Sequence, residues 1–243
     1  MTSDTGTPPR IGVIVAAGGT GSRFGRSEGK QLAPLAGRTV VGWSLQALAR
    51  LPGVRALVVA GEPDREAEYW RHLEDVRTSA PEMRVVPGAA TRQGSVAAAL
   101  DALSPDCGIV VVHDGARPLV TTELAASLVS ALLAAPEADG VVAGHPSVDT
   151  LKRVEAGRIV RTLDRAEVWT VQTPQVFRAE AIRGAHVAAR EAGFLGTDDA
   201  ALVEREGGNV LVVEGPRDNI KITLTEDIAV AEAILAIRAR EAL

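Results

Sequence analysis

The chain has 243 residues, of which 46% are hydrophobic and only 3% aromatic, so it is long enough for one α/β domain or two small ones and fills its core with Ala, Val and Leu. A formal net charge of −5 argues against a general nucleic-acid or anionic-membrane surface, and no apolar run has the length of a membrane span. The single cysteine, Cys107, excludes an internal disulfide, and the polar start lacks the basic-then-apolar order of a signal peptide, which together predict a cytoplasmic enzyme.

Residues 1–9 read as a disordered start, and Ile11–Val15 as a short β-branched strand buried on both faces. The strand runs into Ala16-Ala17-Gly18-Gly19-Thr20-Gly21, and Arg23, Arg26 and Lys30 follow. A buried strand feeding a glycine-rich turn brings backbone N–H groups close to phosphate, because glycine has no Cβ to hold an anion off. Two familiar phosphate loops do not fit. A Walker A loop fails because Phe24 stands where its first glycine belongs and Gln31 follows Gly29-Lys30. A dinucleotide fingerprint begun at Gly19-Thr20-Gly21 fails at the same Phe24. The remaining pattern, A-A-G-x-x-G-x-R with a lysine seven residues further on, resembles the triphosphate loop of sugar nucleotidyltransferases. The same residues would also serve a tight strand-to-helix turn with solvated cations.

Helical segments at Val40–Leu51, Pro63–Leu73, Gln93–Leu103 and Thr122–Ala135 alternate with strands at Ala56–Ala60, Arg84–Val86, Ile109–His113 and Gly140–Ala143. This alternation predicts an α/β fold with an open, doubly wound, mostly parallel sheet of Rossmann-like type. Ser147–Arg165 breaks the pattern and reads as an extended hairpin around Glu155-Ala156-Gly157, too charged to build a core of its own. It is expected to protrude as a β-arm, over about 146–170, from a single domain covering 1–243. A strand at Val210–Val213 and a helix from about Glu226 close the chain, with Thr223-Leu224-Thr225-Glu226 in capping-box spacing.

The strand Ile109–His113 ends in His113-Asp114-Gly115-Ala116-Arg117-Pro118. Ligands of open α/β sheets bind at the carboxyl ends of the strands, so Asp114 is expected near the glycine-rich turn. There it would either hold Mg²⁺ against a triphosphate or stabilise the following turn. Arg117 suits an anionic acceptor or a neighbouring carboxylate, and His113 a structural hydrogen bond. Asp198 and Asp199 stand at a helix start, where N-capping and substrate contact are both open. Four histidines and one cysteine give no zinc-ligand spacing, and no Ser-His-Asp or Cys-His constellation is evident.

Taken in order, the loop 16–30, Val112–Pro118, Asp149-Thr150-Leu151-Lys152-Arg153, Thr162-Leu163-Asp164-Arg165, Gln172-Thr173-Pro174-Gln175-Val176-Phe177, Thr197-Asp198-Asp199-Ala200 and Gly215–Thr223 resemble the 2-C-methyl-D-erythritol 4-phosphate cytidylyltransferases of non-mevalonate isoprenoid synthesis. The resemblance implies CMP transfer from CTP to the methylerythritol phosphate, with ribitol 5-phosphate or another polyol phosphate as the alternative acceptor. It places Ala16, Ala17, Gly18 and Gly19 against the nucleotide, Arg23, Lys30 and Lys221 (on a late strand) on phosphates, and Ala89, Ala90 and Ser95 on the cytidine. It gives Asp114 the Mg²⁺, and gives Thr150, Arg165, Thr173, Thr197 and Arg117 to the acceptor. It further implies a homodimer in which the arm carries Thr150 and Arg165 into the partner's site. Three departures stand out: Gly29 where relatives commonly have Pro, Gly115 where they have Ala, and Ala90 where they often carry an acid.

Overall fold

The computed structural model describes residues 9–19, 24, 29–76 and 82–241; residues 1–8 of the expected disordered start and the cation Arg23 lie outside the described residues. β1 (Ile11–Ala16) is buried in all but its last residue. A small hairpin of β2 (Pro34–Leu35) and β3 (Arg38–Thr39) leads into α1 (Val40–Ala49). The alternation continues through β4 (Val54–Gly61), α2 (Glu66–Asp75), β5 (Glu82–Pro87), α3 (Arg92–Ala102), β6 (Ile109–Asp114), α4 (Thr122–Ala134) and β7 (Gly140–Pro146). Thr39, Thr91 and Thr121 cap α1, α3 and α4, each accepting a hydrogen bond from the backbone N–H three residues on. After the hairpin β8 (Lys152–Glu155) and β9 (Arg158–Thr162) come β10 (Trp169–Arg178), α5 (Ala179–Glu191), α6 (Asp199–Arg205), β11 (Val210–Glu214) and α7 (Asp227–Glu241).

The main sheet has the order β11-β7-β10-β6-β1-β4-β5. The pairs β1–β4, β1–β6, β4–β5 and β7–β11 are parallel, and β10 runs antiparallel between β6 and β7. Side chains alternate across the sheet. Val13 and Val15 enter the core under α1, α2 and α4, while Ile14 enters the core under α3, α5 and α6. Both faces are covered, which is why the parallel strands read as unbroken Val/Ile runs. A third cluster gathers Phe24, Leu35, Val40, Leu119 and Ile222 beneath α7. Phe24 is 1% exposed there, so the residue that breaks both glycine fingerprints is a core anchor.

The predicted alternation matches the structure to within a few residues, with three differences. β10 and α5 did not announce themselves in the sequence. Inside β10, Pro174 has no N–H to give, and the register with β7 shifts between Val171 and Gln175. α5 does bury an amphipathic face at helical spacing, Ile182, Ala185, His186 and Ala189, which was passed over because small residues and a histidine make up most of it. Lys221, expected on a strand, lies in an irregular connection in which Ile222 N–H donates to Ala116 O at 2.8 Å. The alternation of Ile220 and Ile222 packs both under α7 instead of into a sheet. The capping box is also replaced: the carboxylate of Asp227, not Glu226, accepts from Thr223 N and Leu224 N.

Candidate active site

The parallel register sets Ala16 beside Asp114 on β6 and beside Ala60 on β4, so the turns after β1, β4 and β6 open at one edge of the sheet. The turn after β5 closes against them. A Cβ on Gly18 would lie 2.8 Å from Gly88 Cα, and one on Gly88 would lie 2.7 Å from Gly18 Cα and 2.9 Å from Gly61 O. Glycine is therefore required at both positions by close backbone approach. Ser95 Oγ accepts from Ala89 N at 2.9 Å and donates to Thr91 O at 3.0 Å, fixing the loop that carries Ala89 and Ala90.

These turns enclose a cavity of about 270 Å³ that brings together Ala16, Gly18, Gly19, Lys30, Ala89, Ala90, Ser95, Asp114 and Lys221 from the predicted set. Ala17 is not in its wall. It is fully buried, its N–H donates to Ala60 O and its carbonyl accepts from the Tyr69 hydroxyl, so it supports the turn from beneath. A second cavity, of about 250 Å³, contains Arg117, Thr173 and Thr197. Arg92, Asp114 and Lys221 line both cavities and form their common wall. Thr150 and Arg165 are exposed on the arm and line neither.

The common wall is an ion-pair chain. Lys221 Nζ donates to Asp114 Oδ2 at 2.6 Å, and Arg92 Nε donates to Asp114 Oδ1 at 2.7 Å. Arg92 Nη1 donates to Asp199 Oδ2 at 2.7 Å, and the other oxygen of Asp199 meets His186 Nε2 at 3.0 Å. Burial alone would raise the Asp114 carboxyl, but the charges of Arg92 and Lys221 hold it far below the usual carboxylate range. Asp199 is likewise pushed up by burial and carried lower overall by Arg92 and His186. Arg92 loses by burial and gains more from the two carboxylates, so it stays a cation.

A neutral network supports this chain from behind. His113 Nε2 lies 3.1 Å from Arg117 O, and a carbonyl only accepts, so Nε2 carries the proton. Burial brings the His113 pKa down to about 4, so the ring is neutral and Nδ1 accepts from the Thr173 hydroxyl at 3.1 Å. Thr173 Oγ1 in turn accepts from Asp114 N at 3.0 Å. Thr173, predicted as an acceptor ligand, thus also fixes the backbone of Asp114. Arg117 donates from Nη1 to Asn219 O at 2.8 Å, while its Nε is buried without a partner. Asp198 caps α6 through Ala201 N and takes a hydrogen bond from Gln175. Of the two adjacent acids, the first is the cap and the second an anchor for Arg92.

Arg92 and Gln31 are two of the lining residues that sequence reasoning did not single out. Arg92 had a signal: it is a cation at the first position of a helix, where the dipole disfavours positive charge. Gln31 is buried with Oε1 unpartnered at the rim of the first cavity, and its type and position gave no signal. Among the described residues no three His, Cys, Asp or Glu side chains cluster as a metal site. Any cation would meet Asp114 and then depend on ligands brought by a substrate.

A model of the 2-C-methyl-D-erythritol 4-phosphate cytidylyltransferase family matches residues 11–237. A protein of that name from Pelotomaculum thermopropionicum is 43% identical over 231 residues, which is 94% of this chain and 95% of the relative. Among solved structures, a 4-diphosphocytidyl-2C-methyl-D-erythritol synthase from Anaerococcus prevotii superposes with a TM-score of 0.80 at 30% identity, covering 93% of this chain and 97% of that one. A 2-C-methyl-D-erythritol 4-phosphate cytidylyltransferase from Thermus thermophilus gives a TM-score of 0.73 at 33% identity, over 92% and 98% of the two chains. With a matched fold, a matched length and a cavity built from the motifs that carried the resemblance, the chain belongs to the 2-C-methyl-D-erythritol 4-phosphate cytidylyltransferase family.

Proposed function

We propose that the chain transfers CMP from CTP to 2-C-methyl-D-erythritol 4-phosphate, releasing pyrophosphate. The observation that carries the reading is the pair of cavities joined at Asp114, Arg92 and Lys221, one behind a glycine turn and one beside Arg117. The acceptor is a phosphate monoester, largely dianionic near neutral pH because its second pKa is about 6. It needs no general base. An acceptor oxygen forms a bond to the α-phosphorus of CTP, the bond from that phosphorus to the pyrophosphate oxygen breaks, and pyrophosphate leaves with the electron pair. Two anions must meet, so the chain's task is to offset repulsion and the charge of the transition state.

In this reading Lys30 and Arg23 neutralise the triphosphate, and Lys221 serves the phosphates from the common wall. The turn at Ala16, Gly18 and Gly19 admits the nucleotide, and the loop of Ala89 and Ala90, braced by Ser95, receives the cytidine. Arg117, Thr173 and Thr197 face the acceptor. Asp114 fits Mg²⁺ as a single-carboxylate ligand: its oxygens have lone pairs beyond those given to Arg92 and Lys221, and Mg²⁺ completes its shell with phosphate oxygens and water. Bound there, the ion would supply charge neutralisation and polarise phosphoryl oxygens. The arm would place Thr150 and Arg165 in the site of a second copy, making the working unit a cytoplasmic homodimer of single-domain protomers. No helix among the described residues is long and apolar enough to cross a membrane.

The test is pyrophosphate release with CTP and Mg²⁺, comparing methylerythritol 4-phosphate and ribitol 5-phosphate side by side. Strong preference for the methylerythritol phosphate is expected. Preference for ribitol phosphate would keep the nucleotide site and overturn the acceptor.

A further inference from the structure

Arg92 is the first residue of α3, and the first turn of that helix has no acid to offset it. The helix dipole disfavours a cation there. Two carboxylates from other elements hold it, Asp114 and Asp199, each at 2.7 Å. The partners of this chain differ in freedom. The Asp199 side chain is 1% exposed and is also bonded to His186, so that end of Arg92 is fixed. Lys221, on the other oxygen of Asp114, has a side chain 40% exposed. Of the two cations on Asp114, one is anchored and one can leave.

We propose that Arg92 is a positioning residue for the transfer: as the standing counter-ion of Asp114, it frees Lys221 to move from that carboxylate onto a substrate phosphate. The proposal rests on the assignment of the two cavities to nucleotide and acceptor. If Lys221 were the only side chain on Asp114, its departure would leave a buried carboxylate with no counter-ion from the protein itself, beside a polyanion. Removing one partner from a buried ion pair is the costly way to break it. With Arg92 in place, Asp114 keeps a charge-assisted hydrogen bond throughout. A lysine at position 92 would be a point charge, without the planar fork that spans two carboxylates.

The experiment is a double-mutant cycle of Arg92→Gln and Lys221→Gln, reading kcat, the KM of each substrate and thermal unfolding, with Arg92→Lys as the conservative variant. Arg92→Gln should lower kcat on the order of a hundredfold with either KM changed less than about threefold, the pattern of an interaction made only in the transition state. Arg92→Lys should recover part of the loss. In the Lys221→Gln background, Arg92→Gln should cost less than about threefold more, because the residue it acts through is gone. A full second loss in the double variant, wild-type kcat in folded Arg92→Gln, or a rise in KM alone would overturn the proposal. Should Arg92→Gln fail to fold, Asp199→Asn loosens the anchor while keeping its shape. It is expected to lower kcat with KM unchanged, and an unchanged kcat would overturn the proposal. Wild-type protein inactive toward methylerythritol phosphate would overturn the functional reading, and the proposal with it; the other outcomes against it leave that reading standing.

Discussion

At the common wall of the two cavities, Asp114 is held by β6, by Arg92 of α3, by Thr173 of β10 and by Lys221 of the connection before α7. In the hairpin β8–β9 every residue is exposed, and the strands pair only with each other. Yet both regions carry residues assigned to one reaction. The difference teaches where pre-organisation comes from. The wall is fixed within the protomer by the parallel sheet and its helices. The arm has a defined pairing but no core, and Thr150 and Arg165 at its base are exposed, so in the proposed reading a second copy would fix their positions. The arm keeps Val154, Ile159 and Val160 each more than half exposed, which is a cost in water that a partner would remove.

The sharpest way to break the comparison is to damage each region in a different protomer. Lys30→Ala removes a phosphate cation from the cavity and should lower kcat about a thousandfold, with the fold intact by circular dichroism. Arg165→Ala should also lower activity although it touches neither cavity of its own chain. Mixed dimers of the two variants should regain part of the activity, because one of the two sites then receives an intact cavity and an intact arm. No gain, with heterodimers confirmed by mass, would place the arm outside the site.

A second prediction concerns the wall alone. The unfolded His113 imidazole takes a proton near pH 6.5, whereas burial holds that uptake off until about pH 4 in the folded protein. Acidification through this window favours the unfolded chain, which binds more protons there, and the loss reaches at most about 3 kcal/mol. The carboxylates work in a lower window. Asp114 and Asp199 are depressed below 3.8, so their contribution is intact above that value and fades only as pH falls through their folded values. Thermal unfolding of wild type should therefore decline between pH 6.5 and 4, and His113→Gln should flatten that decline. An equal decline in the variant would move the effect to other groups.

How far the two regions were legible follows from how each is stabilised. Ile11–Val15 and Ile109–His113 declared themselves because a strand covered on both faces must be apolar throughout. The arm was legible for the opposite reason, since charge without alternation cannot form a core. What was hidden depends on pairing across the chain. β10 carries Gln172, Thr173 and Gln175 buried, polar residues that gave no strand pattern because Asp114, Pro216 and Asp198, distant in the chain, are what satisfy them. Arg92 was not singled out because its two carboxylates lie 22 and 107 residues away. Ala17 was assigned to the nucleotide by the family resemblance, whereas the strand's alternation turns its side chain into the core.

Gly88 sharpens the comparison from the wall's side. Its added Cβ would meet backbone atoms of Gly18 and Gly61, which cannot swing aside as a side-chain tip can. Gly88→Ala should cost about 1–3 kcal/mol in denaturant unfolding and raise the KM for CTP, because the turns after β1 and β5 must part. An unchanged stability would show that the two turns have slack.

Ile159 tests the arm. It is 66% exposed, and Val160 beside it 53%, so neither contributes packing within a protomer. Replacing both by serine should leave monomer stability within about 0.5 kcal/mol, the range of surface substitutions. If the arm seats on a second copy, the same pair of changes should shift sedimentation toward monomer and lower activity at dilute protein, with recovery as concentration rises. A simple loss of stability would show that the arm packs on its own domain. Unchanged sedimentation and activity would show that the apolar side chains of the hairpin cover nothing. The expected outcome separates the regions cleanly: a change that unfolds the wall acts at any concentration, and a change in the arm acts through mass action.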